Sequence, residues 1–229
     1  MNKLKHYFDD WTLWEKIWIF SFMALILVLS YIWGDGIIGI ITSVTGIWTV
    51  VLVAKGRISN YYVGIPNVIL YAYLAFQWNY YGEVMLNLLF FLPMQFIGWY
   101  QWTRPNYRKS FDEVYVKFLS RKQRILVFSG SAVTTYLYGL FLGSIGGFLP
   151  FFDAASTVLS IIAMILMVRA YMEQWILWIV VNIVSILLWV VTLQLGGNDI
   201  TILIMWSAYL INAVYGWINW VILYRTQKV

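Results

Sequence analysis

Eight apolar windows divide the chain: Ile17–Trp33, Ile37–Ala54, Tyr61–Gln77, Gly82–Trp102, Ile125–Gly143, Ala154–Val168, Gln174–Gln194 and Ile200–Tyr224. A helix needs about 17–25 mostly apolar residues to cross the hydrocarbon of a bilayer. All eight qualify, with Tyr61–Gln77 and Ala154–Val168 a little short. The pattern predicts an all-α integral membrane protein with eight transmembrane helices. The connections are short except for Thr103–Arg124, a polar segment in which Asp112–Lys122 is expected to form a short interfacial helix.

Charge strengthens this reading and orients it. The chain is 62% hydrophobic and 11% charged, against about 25% charged for a soluble domain, too little to cover a water-facing surface. With eight crossings, all 15 Lys and Arg fall on one side. They are Lys3, Lys5 and Lys16, then Lys55 and Arg57, the cluster from Arg104 to Arg124, Arg169, and Arg225 and Lys228. The opposite loops carry only Asp35, Glu83, Asp153 and Asp199. Basic residues accumulate in cytoplasmic loops, so both termini are expected in the cytoplasm. The net charge of +5 then marks topology, and no nucleic-acid partner is expected. Met1–Trp33 has no small-residue cleavage site after its apolar run and reads as a retained helix.

The chain also repeats itself. The fourth window ends Gly98-Trp99-Tyr100-Gln101-Trp102 and the eighth holds Gly216-Trp217-Ile218-Asn219-Trp220. Both read G-W-x-x-W, 118 residues apart, and Asp35 and Asp153 stand at the same offset. Asn67 and Asn182 pair at an offset of 115. Three helices leave the chain on the far side of the membrane, so a fourth must return it before a parallel repeat can start. The expected organisation is an extra N-terminal helix (1–34), a first three-helix bundle (35–102), a basic loop and linker helix (103–152), and a second bundle with the C-terminal tail (153–229). Parallel repeats of this kind place substrate sites near the midplane, at the repeat interface.

Chemistry inside the windows is neutral. There is no cysteine, the single histidine is His6, and every acid lies at a span end or in a loop. Proton relays and sodium sites usually need an intramembrane carboxylate or histidine, so ion coupling is not expected. Nor is an enzyme, a metal site or a cofactor, because no nucleophile–base or ligand set sits in a span. The windows do hold amides interleaved with aromatics. Asn87, Phe91 and Gln95 share one face at i, i+4, i+8; Trp178 and Asn182 are four apart; Asn212, Tyr215 and Asn219 follow at i, i+3, i+7. Asn67 stands beside Pro66. An amide facing lipid costs several kcal/mol, so these faces point into the bundle. There they act either as glue between helices or as the lining for a planar, hydrogen-bonding solute stacked on aromatic rings. Pro66 and Pro93 remove helix hydrogen bonds and are candidate hinges or static kinks.

W-x-x-x-N at Trp178–Asn182, N-x-x-Y-x-W-x-x-W at Asn212–Trp220 and the stretch Asn87–Trp102 together resemble the PnuC family of bacterial vitamin-precursor transporters. The resemblance covers about Asp35 to Arg225. It implies a SWEET-like 3+1+3 fold, a homotrimer, and uptake of nicotinamide riboside by facilitated diffusion, followed by phosphorylation that feeds NAD synthesis. Thiamine or riboflavin is the alternative cargo. It implies Asn87, Phe91, Gln95, Trp178, Asn182, Asn212, Tyr215, Trp217, Asn219 and Asn67 as substrate-binding residues. The halves differ: Val63 stands where Trp178 is matched, and Gln95 is in register with Ala213.

Overall fold

The computed structural model describes residues 8, 11–33, 37–77, 84–146, 149–194 and 200–227. Lys3, Lys5, His6, Asp35, Gly82, Glu83, Asp199 and Lys228 lie outside them. The described residues form eight helices. They are α1 (Leu13–Trp33), α2 (Ile37–Ala54), α3 (Asn60–Gln77), α4 (Leu92–Thr103, entered through a π-helical segment, Leu86–Phe91), α5 (Arg121–Ser144), α6 (Pro150–Val168), α7 (Gln174–Gln194) and α8 (Ile200–Thr226). By length and composition α2, α5 and α6 are apolar enough to cross a membrane, and α7 has a shorter apolar stretch, Gln174–Leu188. Two Asn, a Gln, Pro66 and four Tyr dilute the hydropathy of α3.

Where helices start earlier than hydrophobicity alone suggests, capping explains it. The Thr12 hydroxyl accepts from the Glu15 amide while the Glu15 carboxylate accepts from the Thr12 amide, 3.2 and 2.7 Å. Ser120 and Gln123 form the same reciprocal box at α5. Each box satisfies two donors that a helix start otherwise leaves unpaired. Pro150 opens α6, where its missing N–H costs nothing.

Neighbouring helices pack in two groups, α2 with α3 and α3 with α4, then α6 with α7 and α7 with α8. The groups meet at two seams, α2 against α8 and α4 against α6. The principal buried cluster lies at one end of these seams. Its centre is a row of four rings. Tyr61 meets Trp102 edge-on at 5.1 Å, Trp102 lies 6.2 Å from Trp220, and Trp220 meets Trp175 at 5.8 Å. The Trp102 indole donates to the Met167 and Val168 carbonyls at the end of α6, and the Trp220 indole donates to Val53 O at the end of α2. The glycines of the G-W-x-x-W motifs make room for this row. Gly98 abuts the Tyr61 ring, and a Cβ on Gly216 would lie 2.5 Å from Trp175 Cη2.

The stretch from Asp112 to Ser120 is not the interfacial helix expected above. It is an extended strap, and α5 begins only at Arg121. Asp112, Val114 and Val116 are buried and alternate with outward Glu113 and Tyr115, the two-residue period of a strand. The strap pairs with both interhelical turns. Val114 N donates to Gly56 O and Ile58 N to Asp112 O, 3.0 and 2.9 Å; Lys117 N donates to Ala170 O and Met172 N to Lys117 O, 2.8 and 2.9 Å. Gly56 and Ala170 hold equivalent left-handed positions, φ +65° and +57°. The second turn is further tied by buried Glu173, which accepts from Leu119 N and from Arg124 Nη2 at 2.8 Å.

Candidate functional site

α3 and α7 start 114 residues apart, at Asn60 and Gln174. This register sets Gly64 against Trp178 and Val68 against Asn182, one residue away from the Val63–Trp178 and Asn67–Asn182 pairings expected from the sequence. The structural consequence is an exchange of bulk. In the first group Gly64 leaves space that the Gln95 amide fills: a Cβ on Gly64 would lie 3.0 Å from both Gln95 Oε1 and Nε2 and 3.1 Å from Thr49 Cγ2. In the second, the large residue is Trp178 and the small one is Ala213, at the register of Gln95.

Four of the candidate aromatics converge. Phe91, Trp178, Tyr215 and Trp217 all pack, partly buried, against the principal cluster. Trp178 also touches the neighbouring cluster of Leu119, Ala163, Leu166 and Leu177. Among the candidate amides, Asn87, Gln95, Asn182 and Asn212 are buried. Gln95 Oε1 and Asn212 Oδ1 are buried without a hydrogen-bond partner among the described residues. An unmet buried acceptor costs about 1–3 kcal/mol, so both oxygens favour an N–H or O–H donor brought by a solute.

Three amides turn toward α2. Asn67 Nδ2 donates to Thr42 O and Thr45 Oγ1, 2.6 and 3.1 Å. Asn212 Nδ2 donates to Val50 O at 3.2 Å and Asn219 Nδ2 to Ala54 O at 2.8 Å. Asn67 thus spends both N–H groups on α2, whereas Asn212 and Asn219 each spend one and keep a second N–H beside the carbonyl oxygen. Pro66 lies inside α3. Pro93 lies where the π-helical segment gives way to α4 rather than in mid-helix. The Leu92 amide there donates to Asn87 O, the i→i+5 bond of a π turn, a geometry frequent at functional sites. An apolar groove of about 450 Å³ between α5, α6 and α7, lined by Phe128, Ser131, Tyr136 and Leu159 among others, contains none of the candidates. Among the described residues, no group of three His, Cys, Asp or Glu is placed to hold a metal ion.

Glu15 is a residue that sequence reasoning passed over as a span-end acid. It is buried, pairs with Lys55 at 2.7 Å and accepts a hydrogen bond from the Tyr215 hydroxyl. Its only sequence signal was the T-x-x-E capping pattern.

Apolar helices packed around buried aromatics and amides make this a multi-pass membrane protein. The family described as nicotinamide mononucleotide transporter matches residues 36–222. The nicotinamide riboside transporter PnuC of Neisseria mucosa is 41% identical over 93% of this chain and 82% of its own length. That of Haemophilus influenzae is 36% identical over 95% and 94%. A crystal structure of the vitamin B3 transporter PnuC superposes with a TM-score of 0.79 at 40% identity, covering 95% of this chain and 94% of that one. The chain belongs to the PnuC family of membrane transporters.

Proposed function

We propose that this protein carries nicotinamide riboside into the cell by facilitated diffusion, as a uniporter without ion coupling, with intracellular phosphorylation trapping the product for NAD synthesis. The observation that carries this reading is the gathering of Phe91, Trp178, Tyr215 and Trp217 on one cluster beside buried neutral amides. A pyridinium ring stacks on such faces, and aromatic quadrupoles attract its positive charge. Gln95 and Asn87 take the carboxamide or ribose. Asn182 and Asn212 take ribose hydroxyls, with Trp178 and Tyr215 as stacking walls. The names of the relatives support the cargo.

The same reading places eight crossings in the bacterial cytoplasmic membrane with both termini inside. It arranges α2–α4 and α6–α8 as parallel repeats after α1, linked by α5, in a SWEET-like homotrimer. The matched Trp102 and Trp220 bonds and the matched turns at Gly56 and Ala170 support the repeat. Equilibrium binding to purified protein tests the cargo. Saturable nicotinamide riboside binding is expected, and Gln95→Ala or Asn182→Ala should weaken it at least about tenfold, the worth of one well-made buried hydrogen bond. Tight thiamine or riboflavin binding without nicotinamide riboside binding would reassign it.

A further inference from the structure

The N-terminal helix reaches the site through one carboxylate. Glu15 is 3% exposed, so its charge is stable only with partners that replace water. Its two oxygens divide the work. Oε2 closes the α1 cap on Thr12 N. Oε1 faces inward, where it meets Lys55 Nζ at the end of α2 and accepts from the Tyr215 hydroxyl of α8. The Trp11 ring lies 5.0 Å from Lys55 Nζ. Three helices remote in sequence therefore share one oxygen. Tyr215 is the only member of this group whose ring also packs on the cluster that gathers Phe91, Trp178 and Trp217. A tyrosine held at its hydroxyl loses the swing about χ1 and χ2 that an unanchored ring retains.

We infer that Glu15 is a positioning residue for transport: from α1 it fixes Tyr215, so that the ring forms one wall of the aromatic chamber. The inference rests on the site reading above, because it takes Tyr215 as that wall. It also makes α1 a working part of the transporter rather than an optional addition.

A double-mutant cycle tests it. E15Q keeps the shape and removes the charge; Y215F removes only the hydroxyl. Each should weaken nicotinamide riboside binding about tenfold, because a hydrogen bond to a charged group is among the stronger ones, and E15Q/Y215F should be no weaker than the worse single variant. Parent affinity in E15Q, or losses that multiply in the double variant, would overturn the inference. A parent protein that binds no nicotinamide riboside overturns the cargo reading alone, and a second measurement then decides the role of Glu15. The chain has no cysteine of its own, so Asn182→Cys supplies a single thiol in the chamber. Its labelling by a water-soluble maleimide should quicken severalfold in E15Q and Y215F, with no further gain in the double variant. Labelling of E15Q at the parent rate overturns the inference.

Discussion

Gly216→Ala tests whether the G-W-x-x-W motif is a packing device. The added methyl would lie 2.5 Å from Trp175 Cη2 and 2.6 Å from Cζ2 and Cζ3, where carbon atoms prefer about 3.5–4.0 Å. The ring would have to retreat by about 1 Å. It has little room: Trp175 is 3% exposed and abuts Trp220, which is fully buried and hydrogen-bonded to Val53 O. Overpacking of this kind costs about 1–3 kcal/mol, and three ring carbons at once put the clash at the upper end. Alanine returns about 1 kcal/mol as the better helix former. The expected net loss is about 2 kcal/mol, a fall of about 4–8 °C in the unfolding midpoint for a chain of this size. Thermal unfolding in detergent, followed by tryptophan fluorescence, measures it. Trp175→Phe withdraws the outer ring atoms and should rescue: combined with Gly216→Ala it should be at least as stable as Trp175→Phe alone, with a coupling of about 1 kcal/mol or more. An unchanged midpoint in Gly216→Ala, or strictly additive effects, would refute the reasoning.

Three further outcomes can be measured. Gly56→Ala should cost about 1–2 kcal/mol, because φ +65° disfavours a Cβ and that Cβ would sit 3.3 Å from Leu223 Cδ1; the unfolding midpoint reports it. Glu173→Ala should cost about 2–3 kcal/mol by leaving the buried Leu119 N–H without its acceptor, whereas Arg124→Ala, at a side chain 46% exposed, should cost less than half as much. Nicotinamide riboside should slow amide hydrogen exchange more in residues 86–103 than in 205–220, because the π-helical segment and α4 are less tied to their neighbours; equal protection of both stretches would contradict this.

The sequence was most legible where apolar length and sharp polar turns coincide. α2 and α7 end where the hydrophobic windows end, at Ala54 and Gln194. The inward direction of the amides was legible too, since lipid offers them no partner. What an inward amide then meets was not. Asn219 and Asn212 share a helix face with Tyr215, yet their N–H groups find the Ala54 and Val50 carbonyls, and no spacing rule locates a backbone oxygen 165 or 162 residues away. The strap carried its strand period openly in Asp112-Glu113-Val114-Tyr115-Val116, but charged residues near a membrane surface also suit an interfacial helix. The links of Glu15 to Lys55 and Tyr215 were invisible because α2 and α8 supply these partners, and only the packing of α1 brings them together.

The two seams between the helix groups are unequal, and this bears on how a solute could pass. At the α2–α8 seam, Asn212, Asn219 and Trp220 each donate to α2 carbonyls, while Tyr215 of α8 bonds Glu15 of α1. At the α4–α6 seam, Trp102 alone among the described side chains of α4 donates to α6 carbonyls. Gln101, at the register of Asn219, has its Oε1 buried without a partner among the described residues. Separating the first seam breaks three hydrogen bonds between α8 and α2, and separating the second breaks one shared donor; at about 1 kcal/mol net apiece the difference is about 2 kcal/mol. The weaker seam is also the one whose helix is entered through a π turn and Pro93, where backbone hydrogen bonds are already rearranged. A chain built from two matched groups thus has two seams of unequal hydrogen bonding. Asn212 and Asn219 of α8 each tie one N–H to α2, while Gln95 Oε1 on α4 and Asn212 Oδ1 on α8 are both buried without a partner among the described residues.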